Sequence, residues 1–422
     1  MTKKLHPDDE LEVLVRQLNA AAAANGTADL GEEAGSPGRP QTRLEVARAW
    51  GLPAPDAEGA AWLARLLADA RERYATDLLL VAGAPPVVRI HGVLHALEDG
   101  PLSAASTALL CAALVPPERR ETVEARGSVD FSIRSTAGPG RFRCNVHRER
   151  GRWSAAIRVF PVELPELESL HLPPGLARFA ELQYGLVLLT GPTGSGKSTT
   201  IAALLRRVLA RRRVHLVTIE DPVEYEHAHD GSVVEHVEIG RDAPSFAEAL
   251  RASLRQNPDV LLIGEMRDPE SIGIAITAAE TGHLVFSTLH TGDAPQTVHR
   301  ILDSYPAEQM ETVRSQLSIS LAGIVSQELL PRADGRGRVP AVEILMATPA
   351  VRNLVRRGRI EQLRSQLTLE QPAGMLDLDQ SLARLVLDGL VDPAEARARA
   401  RVPEEFERAI ARRPKNSSSQ ST

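Results

Sequence analysis

A glycine-rich loop with one lysine and several hydroxyl side chains stands near the middle of the chain. It fits the pattern G-x-x-x-x-G-K-[S/T] and is followed by one more threonine; its residues are Gly191, Pro192, Thr193, Gly194, Ser195, Gly196, Lys197, Ser198 and Thr199. The glycines let successive backbone N–H groups point at phosphate oxygens. Lys197 would reach the β- and γ-phosphates, and the Ser198 hydroxyl would hold Mg²⁺. The loop therefore predicts binding of a nucleoside triphosphate with Mg²⁺.

Two acidic segments follow this loop, each directly after an apolar run. The first contains Glu220, Asp221 and Glu224, and the second ends in Glu265. One carboxylate near the γ-phosphate would hold Mg²⁺, either directly or through a water; for Glu265 we expect contact through a water. Another carboxylate would orient or deprotonate the attacking water. We therefore predict Lys197, Glu224 and Glu265 as catalytic residues, with Glu220 and Asp221 as accessory ones.

Histidines and arginines elsewhere in the chain are further candidates. His283 and His290 bracket an apolar run and would act as a γ-phosphate sensor or an intersubunit contact. A planar guanidinium suits phosphate, so arginines of an earlier segment would act as arginine fingers if that segment folds over the loop. A solvated strand face is an equal alternative for them. These arginines are Arg143, Arg148, Arg150 and Arg158.

The elements that must position these residues fall into two patterns. Short apolar runs between residues 78 and 97, and again between 128 and 159, predict the strands of a small α+β domain. One amphipathic helix precedes these strands in the sequence. From residue 185 onward, apolar strands alternate with helices, which predicts an α/β fold with a mainly parallel sheet. Helical patterns then continue from about residue 348 to residue 411.

These patterns give six predicted regions. They are an N-terminal extension with a Gly/Pro-rich linker (residues 1–58), the small α+β domain (59–162), a linker (163–176), the nucleotide-binding core (177–345), a helical region (346–411) and a disordered tail (412–422).

Composition excludes several classes of function. The net charge of −6 and an aromatic content of 3% argue against a nucleic-acid partner. The two cysteines, Cys111 and Cys144, form no C-x-x-C pair, so no zinc site is expected. No apolar run approaches the roughly 18 residues of a membrane span, and the N-terminus lacks a signal-peptide pattern. We therefore expect a cytoplasmic protein without a transmembrane segment.

Taken together, four segments resemble the secretion-type ATPases of the type II secretion and type IV pilus superfamily, the GspE/PilT family. The segments are the phosphate loop, the acidic box Glu220–Glu224, the strand ending in Gly264–Asp268 and the histidine box Glu280–His290. The resemblance implies a RecA-like core and a PAS-like small domain. It places the family's catalytic glutamates on Glu224 and Glu265, its box histidines on His283 and His290, and its arginines within Arg143–Arg158.

Within the family, the chain is most similar to the pilus retraction motors. It lacks a four-cysteine zinc insert after the core, and Ala350–Arg356 is close to the A-I-R-N-L-I-R segment of that group. The resemblance implies a homohexamer, peripheral to the inner membrane at the pilus base, that contacts a membrane platform protein and powers retraction and twitching motility. Departures at Leu79, Ser287 and Gly292 leave open a paralogue with an accessory role. An assembly or type II secretion ATPase, a non-hydrolysing regulatory subunit and a nucleic-acid motor are the alternatives.

Overall fold

The computed structural model describes residues 52–90, 92–97, 100–134, 140–370 and 374–411. The predicted Gly/Pro-rich linker in the N-terminal extension and the predicted tail at residues 412–422 lie outside these residues. Among the described residues, no helix combines the length and apolar character that crossing a bilayer requires.

The first part of the described chain is a sheet covered on one face by helices. Its six strands are all antiparallel and lie in the order β3-β2-β1-β6-β5-β4. They are β1 (Asp77–Leu80), β2 (Val87–Ile90), β3 (Val93–Ala96), β4 (Ser128–Arg134), β5 (Arg141–Glu149) and β6 (Arg152–Val159). The helices are α1 (Ala57–Glu72), α2 (Ala104–Leu114) and α3 (Arg120–Arg126).

Alternation along the strands sets the two faces of this sheet. On β5, Phe142, Cys144 and Val146 are buried against the domain's helices, whereas Arg143 is exposed on the opposite face. The predicted amphipathic helix is α1, which begins after Asp56 because that carboxylate accepts a hydrogen bond of 2.6 Å from Gly59 N. The predicted small α+β domain is thus confirmed as a structure, with one polar sheet face left for other contacts.

The second sheet has seven strands in the order β13-β12-β7-β11-β10-β8-β9, and only β13 runs antiparallel to its neighbour. Every residue of β7, β10 and β11 is buried, as expected for strands with helices on both faces. The predicted mainly parallel α/β core is therefore confirmed. Its strands are β7 (Gly185–Thr190), β8 (His215–Glu220), β9 (Val233–Glu238), β10 (Val260–Ile263), β11 (Leu284–Leu289), β12 (Leu321–Pro331) and β13 (Arg338–Met346).

Ten helices accompany this sheet in the described residues and complete the chain to residue 411. Those of the core are α4 (Lys197–Arg211), α5 (Phe246–Ser253), α6 (Pro269–Glu280), α7 (Ala294–Leu302) and α8 (Ala307–Ser320). Those of the predicted C-terminal helical region are α9 (Pro349–Arg356), α10 (Leu363–Leu369), α11 (Leu378–Leu387), α12 (Pro393–Arg399) and α13 (Pro403–Ala411). The last three share an apolar cluster with β12 and β13, including Leu330, Val339 and Leu382.

The segment predicted as a linker is partly packed on the core. It contains a 3-10 helix at Leu167–Leu170, and a second one begins within it at Pro174–Glu181. Leu176 and Phe179 of the second helix are fully buried in the cluster that also holds β7 and α4. Arg206 on α4 also donates to the Leu164 carbonyl oxygen. Much of the segment is therefore packed on the core rather than a free connector.

Candidate active site

The glycine-rich loop joins the end of β7 to the start of α4, so its N–H groups lie at a helix N-terminus. Gly191 has φ +139°, and a Cβ there would lie 2.2 Å from the Gln327 carbonyl oxygen. Gly196 has φ +87°, and its Cβ would lie 2.8 Å from Gln327 Nε2. The positive φ strains a side chain at either position, and at Gly191 the Cβ would also clash with backbone. The loop is thus shaped by its close approach to β12.

Gln327 on β12 holds this loop in place. Its amide is buried, donates to the Ser195 carbonyl oxygen at 2.7 Å and accepts from Thr200 Oγ1 at 2.9 Å. It therefore ties the loop and the first turn of α4 to a neighbouring strand. Sequence reasoning missed this residue. The one available signal was an amide inside an otherwise apolar strand, where a buried polar group requires partners.

Lys197 lies folded onto its own loop. Its ammonium donates to the carbonyl oxygens of Gly191 at 2.8 Å and Pro192 at 3.0 Å. Burial lowers the pKa of Lys197, while the charges of Glu265 and Glu224 act in the opposite direction. The three residues predicted as catalytic thus lie within electrostatic reach of one another at the carboxyl edge of the sheet, where open α/β folds bind ligands.

Arg267 and His290 hold the carboxylate of Glu265 in place. Arg267 Nη2 lies 2.7 Å from Glu265 Oε2, and His290 Nε2 lies 3.3 Å from Glu265 Oε1. Burial acts to raise the pKa of Glu265, but the hydrogen bond and charge of Arg267, together with His290, bring it below its ordinary value. The carboxylate therefore stays ionised and can orient a water or accept its proton. Arg267 is a second residue whose role the sequence did not predict.

Glu220 differs from Glu265 in being deeply buried. Burial raises its pKa to about 7, and Glu220 Oε1 has no hydrogen-bond partner among the described residues. It lines a cavity of about 30 Å³ together with Ser198, Tyr225 and Thr288. Carboxylate and hydroxyl oxygens are the ligands that Mg²⁺ prefers, so Ser198 and its surroundings fit the predicted metal. Asp221 is exposed beside this cavity.

The two predicted histidines do not lie together. They stand at opposite ends of β11, so a buried six-residue strand separates them. His290 is at the carboxyl end beside Glu265, whereas His283 Nδ1 lies 2.9 Å from the Ala278 carbonyl oxygen at the end of α6. Only His290 belongs to the site in this chain.

The four predicted arginines lie on the small domain. Arg143 stands directly opposite Arg158, which pairs weakly with Asp77 at 3.4 Å. Arg148 stacks over the Trp153 ring at 4.6 Å. Arg150 is exposed in the turn between β5 and β6 and pairs with the neighbouring Glu149 at 3.1 Å.

Two further arginines of the small domain pair with carboxylates of the core. Arg141 lies 2.9 Å from Glu226 Oε1 and also pairs with the buried Glu238. Arg134 lies 2.5 Å from Glu226. Arg141 belongs to the arginine-rich segment that the sequence singled out, two residues before Arg143, but it was not predicted. It forms a buried junction between the two sheets.

Comparison with known proteins agrees with this fold. The family described as "Type II/IV secretion system protein" matches residues 88–384. The chain belongs to this family. It is 45% identical over 321 residues to a "Twitching motility protein" of Neisseria gonorrhoeae, covering 76% of this chain and 85% of that protein. It is 41% identical over 344 residues to the "Type IV pilus retractation ATPase PilT" of Pseudomonas aeruginosa, covering 82% of this chain and 99% of that protein.

A solved structure leads to the same family. The crystal structure of "the Pilus Retraction Motor PilT and Bound ADP" superposes with a TM-score of 0.75 at 43% identity, covering 82% of this chain and 98% of that one. The resemblance stated from the sequence segments is therefore confirmed, and so is the fold class. The roles of individual site residues stay predictions.

Proposed function

We propose that this chain is a secretion-family motor that hydrolyses ATP to power type IV pilus retraction. The observation that carries the proposal is the convergence of Lys197, Glu224 and Glu265 at the glycine-rich loop. The relatives described as a twitching motility protein, a type IV pilus retraction ATPase and a pilus retraction motor support the choice of retraction, because the match covers 85%, 99% and 98% of their respective lengths.

The side chains have distinct tasks in this proposal. The backbone N–H groups of residues 193–198 bind the β- and γ-phosphates of ATP. Lys197 leaves the Gly191 and Pro192 carbonyls and binds phosphate oxygens, a better partner for a cation. Glu265, kept ionised by Arg267 and His290, orients the attacking water and accepts its proton, with Glu224 as the second candidate. Ser198 would hold Mg²⁺, with Glu265 contributing through a water, and the ion would supply charge neutralisation at the phosphates.

The small domain completes the site of a neighbouring copy in this proposal. Arg143 and Arg158 are exposed, directly opposed and of like charge, and their mutual repulsion is relieved on one side by Asp77, which pairs with Arg158 at 3.4 Å. A further anion beside Arg143 would stabilise the pair. We propose that they approach the γ-phosphate bound by the adjacent chain in a homohexamer. The ring would lie in the cytoplasm at the pilus base, against an inner-membrane platform protein.

A genetic experiment tests the direction of the motor. Deleting the gene in its source organism should leave excess surface pili that do not retract, and a plasmid with the parent gene should restore retraction. The Lys197→Ala gene should not restore it, whereas Arg397→Ala, which changes an exposed arginine paired with Glu407, should. Pili that are absent from the deletion strain would contradict retraction and support assembly.

A further inference from the structure

The turn that follows β11 connects the candidate site to α7. It consists of residues 290–293 and begins with His290, the residue beside Glu265. Local hydrogen bonds shape this turn: Thr291 Oγ1 lies 2.7 Å from Thr297 Oγ1, and Asp293 Oδ1 accepts from Gln296 N at 2.8 Å. These bonds fix the turn on its own helix but not on the rest of the protein.

Arg401, far along the chain, supplies a long-range attachment. It lies between α12 and α13, and its Nη2 donates to the Gly292 carbonyl oxygen at 2.6 Å. Its Nη1 pairs with Glu343 of β13, whose side chain is buried. Glu343 Oε1 in turn accepts from Ala294 N at 2.9 Å. Arg401 and Glu343 therefore hold both sides of the turn, and Arg364 of α10 adds a longer contact of 3.5 Å to Asp293 Oδ2.

Arg401 is itself held by the C-terminal helices. The carboxylate of Asp379 on α11 is buried and accepts hydrogen bonds from Arg401 N at 2.7 Å and Val402 N at 3.0 Å. Nearby Arg397 is different, because it is exposed and pairs with Glu407 of α13 at 2.8 Å. Arg401 thus joins α11 to the turn, while Arg397 joins two C-terminal helices to each other.

We infer that Arg401 is a positioning residue that couples the C-terminal helices to the Glu265 carboxylate through the turn carrying His290. A displacement of Gly292 would move His290 away from Glu265, because only Thr291 separates Gly292 from His290 in the chain. The inference rests on the proposed ATP hydrolysis, and it gives the C-terminal helices a direct mechanical path to the site that hydrolyses ATP. Binding of ATP phosphates by the loop, on the other side of Glu265, does not depend on it.

Steady-state kinetics of the purified full-length protein test this inference. Arg401→Ala should lower kcat for ATP about tenfold, as expected when a residue that orients a reacting group's neighbour is lost. The Kd for a fluorescent ADP analogue should change less than about twofold, because the loop is untouched. Arg401→Lys keeps a cation and should restore part of kcat. The matched control Arg397→Ala should retain the kcat of the parent.

A double variant separates positioning from general damage. In a His290→Ala background, replacing Arg401 should lower kcat by less than about twofold, because both act through one contact. Equal kcat for Arg401→Ala and Arg397→Ala, or a full tenfold further loss in the His290→Ala background, would overturn the inference. If Arg401→Ala does not fold, Glu343→Gln weakens the same pair and should lower kcat without raising the Kd; an unchanged kcat there would overturn it too. A parent protein without ATP turnover would instead refute the proposed function.

Discussion

The carboxyl edge of the core sheet and the outer face of the small-domain sheet carry two different kinds of charged site. At the core edge, Lys197 and Gln327 are buried, and their hydrogen bonds close within the chain. On the small domain, Arg143 and Arg158 are exposed and oppose each other across two strands. The first site is organised before any ligand arrives, whereas at the second only Arg158 has a carboxylate partner, Asp77, among the described residues.

This difference assigns the two regions to different steps. A site with interlocked, buried groups is suited to bind and hold a phosphate chain without large rearrangement. A site of exposed like charges gains most when a second molecule brings the anion. Binding of ATP is therefore expected to depend on one chain, and fast hydrolysis on contact between two chains.

Replacing the lysine of the core edge should have the largest effect. Lys197→Ala removes the cation that binds the β- and γ-phosphates, so ATP turnover should fall to background, a loss of at least about 1,000-fold. A phosphate-release assay of the purified protein measures it. Turnover like that of the parent would show that the glycine-rich loop is not the site of hydrolysis.

Replacing the two small-domain arginines should come next. Arg143→Ala combined with Arg158→Ala should lower turnover on the order of 1,000-fold, the lower end for arginine fingers, and leave binding of an ADP analogue by the core nearly unchanged. Kinetics and fluorescence titration together measure the two effects. A parallel loss of binding would remove the distinction between the two regions.

The hydrogen bonds of the core edge should contribute to stability. Gln327→Ala leaves the Ser195 carbonyl oxygen and the Thr200 hydroxyl without their partner, which should lower the free energy of unfolding by about 1–3 kcal/mol. Asn145 on the small-domain sheet is the matched amide and is only partly buried. Asn145→Ala should therefore change the free energy of unfolding by less than about 0.5 kcal/mol. Urea unfolding compares them, and equal losses would contradict the contrast.

The smallest expected effect is a pH dependence of the free energy of unfolding, caused by Glu220 at the core edge. Burial raises the pKa of Glu220 from 4.5 to about 7, so between these values the folded chain binds a proton that the unfolded chain releases. Raising the pH through this window should therefore destabilise the parent relative to Glu220→Gln. Urea unfolding without nucleotide or magnesium, at about pH 5 and about pH 8, measures the difference. A difference that does not change with pH would show that Glu220 is ionised throughout.

The features that could be predicted from the sequence are those with a local sequence pattern. The loop from Gly191 to Ser198, the acids at strand ends and the buried strands are each contained in fewer than about ten consecutive residues. Gln327, Arg141 and Arg401 were missed because their roles arise from long-range pairing of distant segments. Arg143 was predicted from its residue type and from the family resemblance, neither of which tells which of several arginines on a strand meets the core.

The central claim is that one chain binds ATP and that the arginines of its neighbour complete the site. Mixing two inactive variants tests this claim most directly. One variant carries Arg143→Ala and Arg158→Ala, and the other carries Glu265→Gln; each alone should turn over ATP poorly. If the arginines act on the neighbouring chain, mixed assemblies contain interfaces with an intact glutamate on one side and intact arginines on the other. The account predicts that ATP turnover of the mixture exceeds the sum of the two variants. A mixture that only equals this sum, although mixed assemblies are demonstrated by differently tagged copies, would contradict it.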